Sequence, residues 1–503
     1  MAQQSNDVYA ALALSRFGLG ADHNGIASIQ SDPRGALLEE ITERFVPVPV
    51  GPQLQSTSDL LVALYAFQEQ RKEARQQVAT ATPPPDRPAQ APQQGPQLPA
   101  AMTAQPAAHQ PATQEMAVAI TKVIEKLEKP STTYLPQEIL MAEVDARFNG
   151  TIRQPLIGFG ERLAMFWANH FSVATSKSEE CHILAGAFER EAIRPHVFGR
   201  FADMLLAVET HPAMLGYLDN QQSIGPNSKA NANKKRGLNE NLARETLELH
   251  TLGVNGGYTQ TDVTTLAKII TGWTVARAEG KLGTPGTFVF NAGAHEPGDQ
   301  TLLGLTYADN GVGQGREALR DLARHPATAQ HLATKLVRHF IADVPPPALV
   351  QTVSATFTKT DGDLSAVYRA LLGSEEAWNP ALVKVRSPQE FMVALLRASG
   401  ETPKPNVILG TLTAMGQPFW APAGPNGFAD TSDVWASSES LSMRMDVASM
   451  IARAVPPQVD PRRFVSDSLG PLLSSETLQA VSRAETRNQG FAIAYLSPEF
   501  QRR

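Results

Sequence analysis

Between Gly237 and Trp273 the chain reads GLNENLARETLELHTLGVNGGYTQTDVTTLAKIITGW, which is a helix, a glycine loop and a second helix. At about 100° per residue, Leu238, Leu242, Leu249 and Leu252 fall in one sector of the first helix, with Glu245 in its middle. Asn241 and Glu248 lie on the edge, so an asparagine and two carboxylates share an apolar stripe. A carboxylate buried there needs a cation, a metal or its own proton. The one cation on this helix is Arg244, which is i,i+4 from both Glu240 and Glu248. Glu240 and Glu248 therefore have two open readings, ordinary helix-surface pairs or members of a polar site. Glu245 favours the site, because its i−3 and i+4 neighbours are leucines. A buried pair with Arg162 or another distant arginine is the third reading of Glu245.

On a regular helix His250 points about 160° away from Glu248. The Glu-x-x-His spacing of carboxylate-bridged metal sites is absent from this helix, and His-Glu-x-x-His is absent from the whole chain. Gly253, Gly256 and Gly257 permit a tight turn, and Thr259 with Asp262 has the spacing of an N-terminal capping pair. Asp262 reads as a cap rather than a ligand.

With 503 residues the chain can bury an ample core, as one large domain or as two to three ordinary ones. Its net charge of −6 gives no general reason to expect nucleic acid or an anionic membrane as partner. The single cysteine, Cys181, excludes an internal disulfide and a cysteine-cluster metal site. Its neighbours Glu179, Glu180 and His182 offer little positive charge, so it reads as an inert thiol. The first residues, MAQQSNDVYAALALSRFGLGA, show no basic region ahead of an apolar core. No apolar run reaches membrane-spanning length. A cytoplasmic location is the default expectation, with export left open.

Taken in order, helical spacing runs over Asn6 to Arg16, Asp32 to Ile41 and Ser58 to Gln77. The glycines of Arg16-Phe17-Gly18-Leu19-Gly20 follow no strand, so they are not a dinucleotide fingerprint. Residues 81–113 turn to Pro, Gln and Ala, a composition that predicts a disordered insertion. Helices resume at Met116 to Leu127 and at Pro136 to Phe148. In ERLAMFWANHF, His170 shares a stripe with Leu163, Phe166 and Trp167. It reads as a hydrogen-bonded core histidine or as company for Glu245.

His211 starts a short helix that ends at Asp219, and both are candidate binding residues. The loop that follows carries Lys229, Lys234, Lys235 and Arg236, a solvated run or a mobile flap over the site. Thr287 to Phe290 and Thr301 to Tyr307 are the clearest strands, joined by NAGAHEPGDQ. There His295, Glu296 and Asp299 either close over a helical site or form the turn. Further helices lead to GQPFWAPAGPNGFADTSDVW, an aromatic and proline-rich segment that lines a groove or covers the core.

RFGLG, ERLAMFWANHF, HPAMLGYLDNQQS, NENLARETLELHTLGVNGGYTQTDV with TGW, HEPGDQTLLG, HPATAQHLATKLVRHF and GQPFWAPAGPNG together resemble the bacterial family known as domain of unknown function 1800. The resemblance spans nearly the whole chain apart from the Pro/Gln insertion. It implies a bacterial, mainly helical protein and no particular reaction. It also implies, as a partner, a companion family of exported, phosphatase-superfamily-like proteins, which weakens the cytoplasmic default. Where the family often has His-Asp-Pro-Gly, this chain has His295-Glu296-Pro297-Gly298, so the acid is kept.

The expectation is a mainly α-helical domain over 1–503, with a small β-hairpin and a disordered insertion at 81–113. Its function is expected at a semi-buried polar pocket of hydrolase type, either acid/base or metal-assisted, with Glu245, His170, Asn241 and His295 as the catalytic set. A divalent metal would take Glu245, His170 and Glu248, a donor set that suits zinc, manganese or iron. His211, Asp219, Arg244 and Trp435 are further binding candidates. The rival expectation is a non-catalytic binding or assembly protein in which the segment Phe419 to Trp435 docks its partner.

Overall fold

The computed structural model describes residues 2–22, 25–44, 46–81, 134–153, 157–233 and 237–503. Outside them lie the expected insertion beyond Ala81, the helix expected at Met116 to Leu127, and Lys234, Lys235 and Arg236.

The described chain is mainly helical. The helix Pro326–Phe340 shows how its sequence dictates this. The His325 ring accepts from the Ala327 amide at its start, and proline occupies the first turn, where its missing N–H costs nothing. Ala329, Leu332, Ala333, Leu336, Val337 and Phe340 then recur at helical spacing and are all buried. The helix Phe159–His170 buries Leu163, Phe166, Trp167 and His170, the stripe expected of it. Its first amides are held from outside: Glu40 accepts from Gly158 N at 3.0 Å and from Phe159 N at 2.7 Å.

The strands form two small antiparallel sheets. Strand β1 (Trp273–Val275) pairs with β2 (Phe288–Phe290), Trp273 opposite Phe290, and β3 (Gln300–Leu302) pairs with β4 (Leu305–Tyr307), Gln300 opposite Tyr307. The two segments expected as one hairpin therefore do not pair with each other. Thr301 to Tyr307 folds back on itself at Leu303 and Gly304, whose φ angles of +51° and +81° suit the tight turn a two-residue hairpin needs. Phe288 to Phe290 pairs instead with the residues just after the central helices.

Apolar side chains gather into two clusters. The larger draws on helices from the N-terminal region to Trp378, and the smaller is built mostly from residues 391–500. Leu19, Leu140, Val144 and Phe148 belong to the second, so the two cores are not simply two halves of the sequence. Between them runs the segment Gly416 to Asp430. Asn169 holds it in place by accepting from Phe428 N at 2.8 Å and donating to Phe428 O at 2.9 Å.

Candidate functional site

The central helix is short. It begins at Asn241 as an α-helix, and from Thr246 to His250 it widens into a π-turn. That turn changes which residues face inward. Leu242, Thr246, Leu247 and His250 are buried, while Glu245, Glu248 and Leu249 are only partly so and Asn241 is exposed. Burial pushes the Glu245 carboxyl up, helped by Glu248 and opposed by His250. Arg244 pairs with Glu240 at 3.1 Å, the surface pair of the plainer reading, and Glu248 accepts from Tyr258 OH at 3.4 Å. Arg162 is engaged elsewhere, with Glu390 at 2.6 Å.

The other expected residues occupy separate places. The His295 ring donates from Nδ1 to Thr271 O at 3.0 Å, and its Nε2 lies 3.7 Å from Asp309. Glu296 accepts from the Asn227 amide and side chain at 2.7 and 2.6 Å, so the turn pins the neighbouring loop. Asp262 completes the capping box with Thr259 and also accepts from Leu303 N at 3.0 Å. His211 caps its own helix and meets Thr57 Oγ1 at 3.1 Å and Glu191 at 3.3 Å. Asp219 pairs with Lys177 at 2.7 Å. Trp435 and Phe419 are buried, with the Trp435 indole donating to Ala429 O at 3.1 Å, so neither ring faces outward for docking. Cys181 is buried too, which pushes its thiol up to about 11.

His170 is where polar groups converge. It is fully enclosed, its ring stacked on Phe166, and both nitrogens are engaged. Nε2 donates to His250 O at 3.2 Å, so Nδ1 is left to accept from Lys335 Nζ at 2.9 Å. The His250 ring, 6.2 Å from His170 between centroids, is itself paired with buried Glu209 at 2.7 Å.

Lys335 belongs to a row that the helix Pro326–Phe340 repeats every four residues: His331, Lys335 and His339. Among the described residues no carboxylate forms an ion pair with Lys335. Its side chain keeps some exposure, yet burial pushes its ammonium down to about 8, with Arg338 adding to the effect and Asp430 opposing it. Burial likewise lowers His331 to about 4 and holds His170 well below the usual histidine range.

One turn along, the His339 ring sits 5.3 Å from Phe166 and lies between two groups. Arg162 Nη2 donates to its Nε2 at 3.3 Å, which leaves Nδ1–H to donate to Asp430, 3.1 and 3.0 Å from the two carboxylate oxygens. Burial pushes the imidazole down, and Asp430 offsets this only in part. Asp430 is held below the usual carboxylate range, because His339, Lys384 and Arg503 outweigh its burial. The arrangement is a neutral imidazole aiming one proton at an ionised carboxylate.

Asp430 and His339 help to line a cavity of ≈ 80 Å³ at the seam between the two cores, with Asn169, Gln417, Trp420 and Phe428. Trp420 is held at φ +49°, a left-handed conformation that costs a non-glycine residue about 1–3 kcal/mol. Its indole donates to Glu189 at 3.2 Å and its carbonyl accepts from Thr175 N at 2.8 Å, which together fix it there. Glu189 belongs to a buried ionic cluster with Arg147, Glu161 and Arg194.

Lys335, His339 and Asp430 were not found from the sequence. The signal for the first two was the four-residue spacing of basic residues in HPATAQHLATKLVRHF. Among the described residues no three His, Cys, Asp or Glu side chains gather to hold a metal ion, and the hydrogen bonds of His170 already use both of its nitrogens. The expected set of Glu245, His170 and Glu248 is therefore not assembled for a metal. No helix among the described residues is long and apolar enough to cross a membrane.

Fold and site together define a mainly helical protein with a cavity of mixed polar and apolar lining between two hydrophobic cores. The family model described as Protein of unknown function (DUF1800) matches residues 12–502, and the chain belongs to that family. No curated protein and no solved structure matches it.

Proposed function

We propose that the protein is an enzyme that moves protons beside the seam cavity, with Lys335, one helical turn from the cavity-lining His339, as the acid/base group and Asp430 as a fixed negative charge. The contact between Lys335 Nζ and His170 Nδ1 carries this reading. A lysine whose neighbour is a neutral imidazole rather than a carboxylate gives up its proton near neutrality, which suits general acid/base work. His170 relays the proton that Lys335 gives up, and His339 is a positioning residue. The first is fixed by the His250 carbonyl, and the second is fixed by Arg162 so that its proton points at Asp430. The small cavity suits a small polar molecule or the end of a longer one. Of the two expected hydrolase versions, this supports the acid/base one, with its centre moved from Glu245 to Lys335.

The test is a panel of chromogenic ester, amide and carbonyl substrates, assayed with the wild type, Lys335→Met and Asp430→Asn. Turnover that falls by about 100-fold or more in both variants, with folding intact, supports the proposal. Turnover that persists in both overturns it.

A further inference from the structure

We infer that Lys335 is a nucleophile, and that the molecule it takes carries an aldehyde or ketone group. This rests on the acid/base reading above and adds the substrate class to it. Four observations lead there. The amine touches the lone pair of His170 Nδ1, a transient relay for its proton, and the Nε2–H bond to His250 O fixes how that ring faces it. No carboxylate among the described residues ties the ammonium down as an ion pair. The side chain keeps partial exposure. One turn further along the same helix, His339 and Asp430 border the cavity, and the Asp430 charge acts on Lys335.

A partly exposed lysine with no carboxylate ion pair among the described residues is suited to imine formation. In the step, the Lys335 ammonium passes one proton to His170 Nδ1, and the freed lone pair forms a bond to the carbonyl carbon. The carbonyl oxygen takes that proton back from His170 and becomes a carbinolamine hydroxyl, and the nitrogen then gives up its second proton by the same route. The hydroxyl leaves as water with that second proton, so the products are a protonated imine and one water, with no change of oxidation state. Asp430, ionised and fixed by His339, acts on the Lys335 charge through space and would in the same way offset the positive charge that the imine keeps. Glu245 has no part in this step.

The experiment is reductive trapping on the full chain. The protein is incubated near neutral pH with glyoxylate, pyruvate or glycolaldehyde, each with borohydride, which delivers hydride to the imine carbon and leaves a stable secondary amine. Peptide mass mapping then gives the extent at each lysine. Lys335 is expected to be trapped about tenfold or more faster than exposed Lys359 and Lys404. Trapping at Lys335 no faster than at those two overturns the inference, and no variant has to fold for that result to count. Trapping needs no turnover, so the two proposals fail separately. An unlabelled Lys335 with activity lost in Lys335→Met removes only the covalent step. A labelled Lys335 with activity kept in Lys335→Met and Asp430→Asn removes the acid/base reading.

Discussion

Lys335 Nζ lies 2.9 Å from Nδ1 of His170, a residue 165 positions away in the chain, and no carboxylate among the described residues pairs with that ammonium. The contact joins the helices Phe159–His170 and Pro326–Phe340 at their polar edge. It also sets a conflict between stability and chemistry, because holding a cation there works against folding.

The conflict is measurable. A lysine lowered from 10.5 to about 8 destabilises the native state while it is protonated, and the missing stability returns as pH rises from 8 through 10.5. Replacing it with methionine removes that burden. Lys335→Met is expected to be more stable than the wild type by ~2–3 kcal/mol near pH 7, less the lost hydrogen bond to His170. Denaturant unfolding at several pH values checks this, and the advantage should shrink toward pH 10.5.

His331 acts at the acid end. Its Nε2–H donates to Leu249 O at 3.1 Å, and burial first, then Lys335, lowers it from 6.5 to about 4. A histidine with a depressed folded value contributes stability above 6.5 that is lost as pH falls toward 4. His331→Gln keeps a donor and cannot titrate. Its stability relative to wild type is expected to improve by up to ~3 kcal/mol between pH 7 and pH 4. Parallel acid titrations of wild type and variant would show it.

Glu161 is enclosed between Arg147 and Arg194, which outweigh its burial and hold its carboxyl down to about 2. Neutralising it leaves two buried guanidiniums to share the single carboxylate of Glu189. Glu161→Gln is expected to cost about 3–5 kcal/mol, and the pairing of Glu161→Gln with Arg194→Met to cost less than the sum of the two single changes. Chemical denaturation of the three variants measures that coupling.

Gly427 seats the segment over the cavity. Its φ is +72°, and a Cβ there would stand 2.3 Å from Asn169 O, the backbone of the helix beneath. Gly427→Ala must shift one or the other. The expected loss exceeds the ~1–2 kcal/mol of left-handed backbone alone. Thermal unfolding with tryptophan emission as the signal reads both the stability and the environment of Trp420.

Much of the helical architecture was legible because its apolar residues repeat at the helical period, and the Thr259 to Asp262 cap because its signal is local. His170 could be singled out as a polar residue on the stripe of Leu163, Phe166 and Trp167. Glu245 was legible as a half-buried carboxylate that burial pushes up, but the partners assigned to it further along came from continuing a regular helix. The π-turn at Thr246–His250 breaks that extrapolation, turning His250 inward and leaving Leu249 partly exposed. Lys335 was missed for another reason, although its four-residue spacing from His331 and His339 stands in the sequence. In sequence it looks like any lysine at the edge of an apolar stripe, and its meaning comes from a histidine on a distant helix. Asp430 and His339 are likewise joined only by the tertiary fold, 91 residues apart. The hairpin pairing failed on Leu303-Gly304, since leucine is an unusual residue for a turn that needs positive φ.

The most direct test is the titration of the Lys335 amine itself. Reductive methylation with ¹³C-formaldehyde places a carbon reporter on each lysine, and Lys335→Arg identifies its signal. A midpoint near 8, well apart from the other lysines, is the expected result and marks an amine poised for proton transfer near neutrality. A midpoint near the ordinary 10.5 would make Lys335 a plain ammonium and contradict the account.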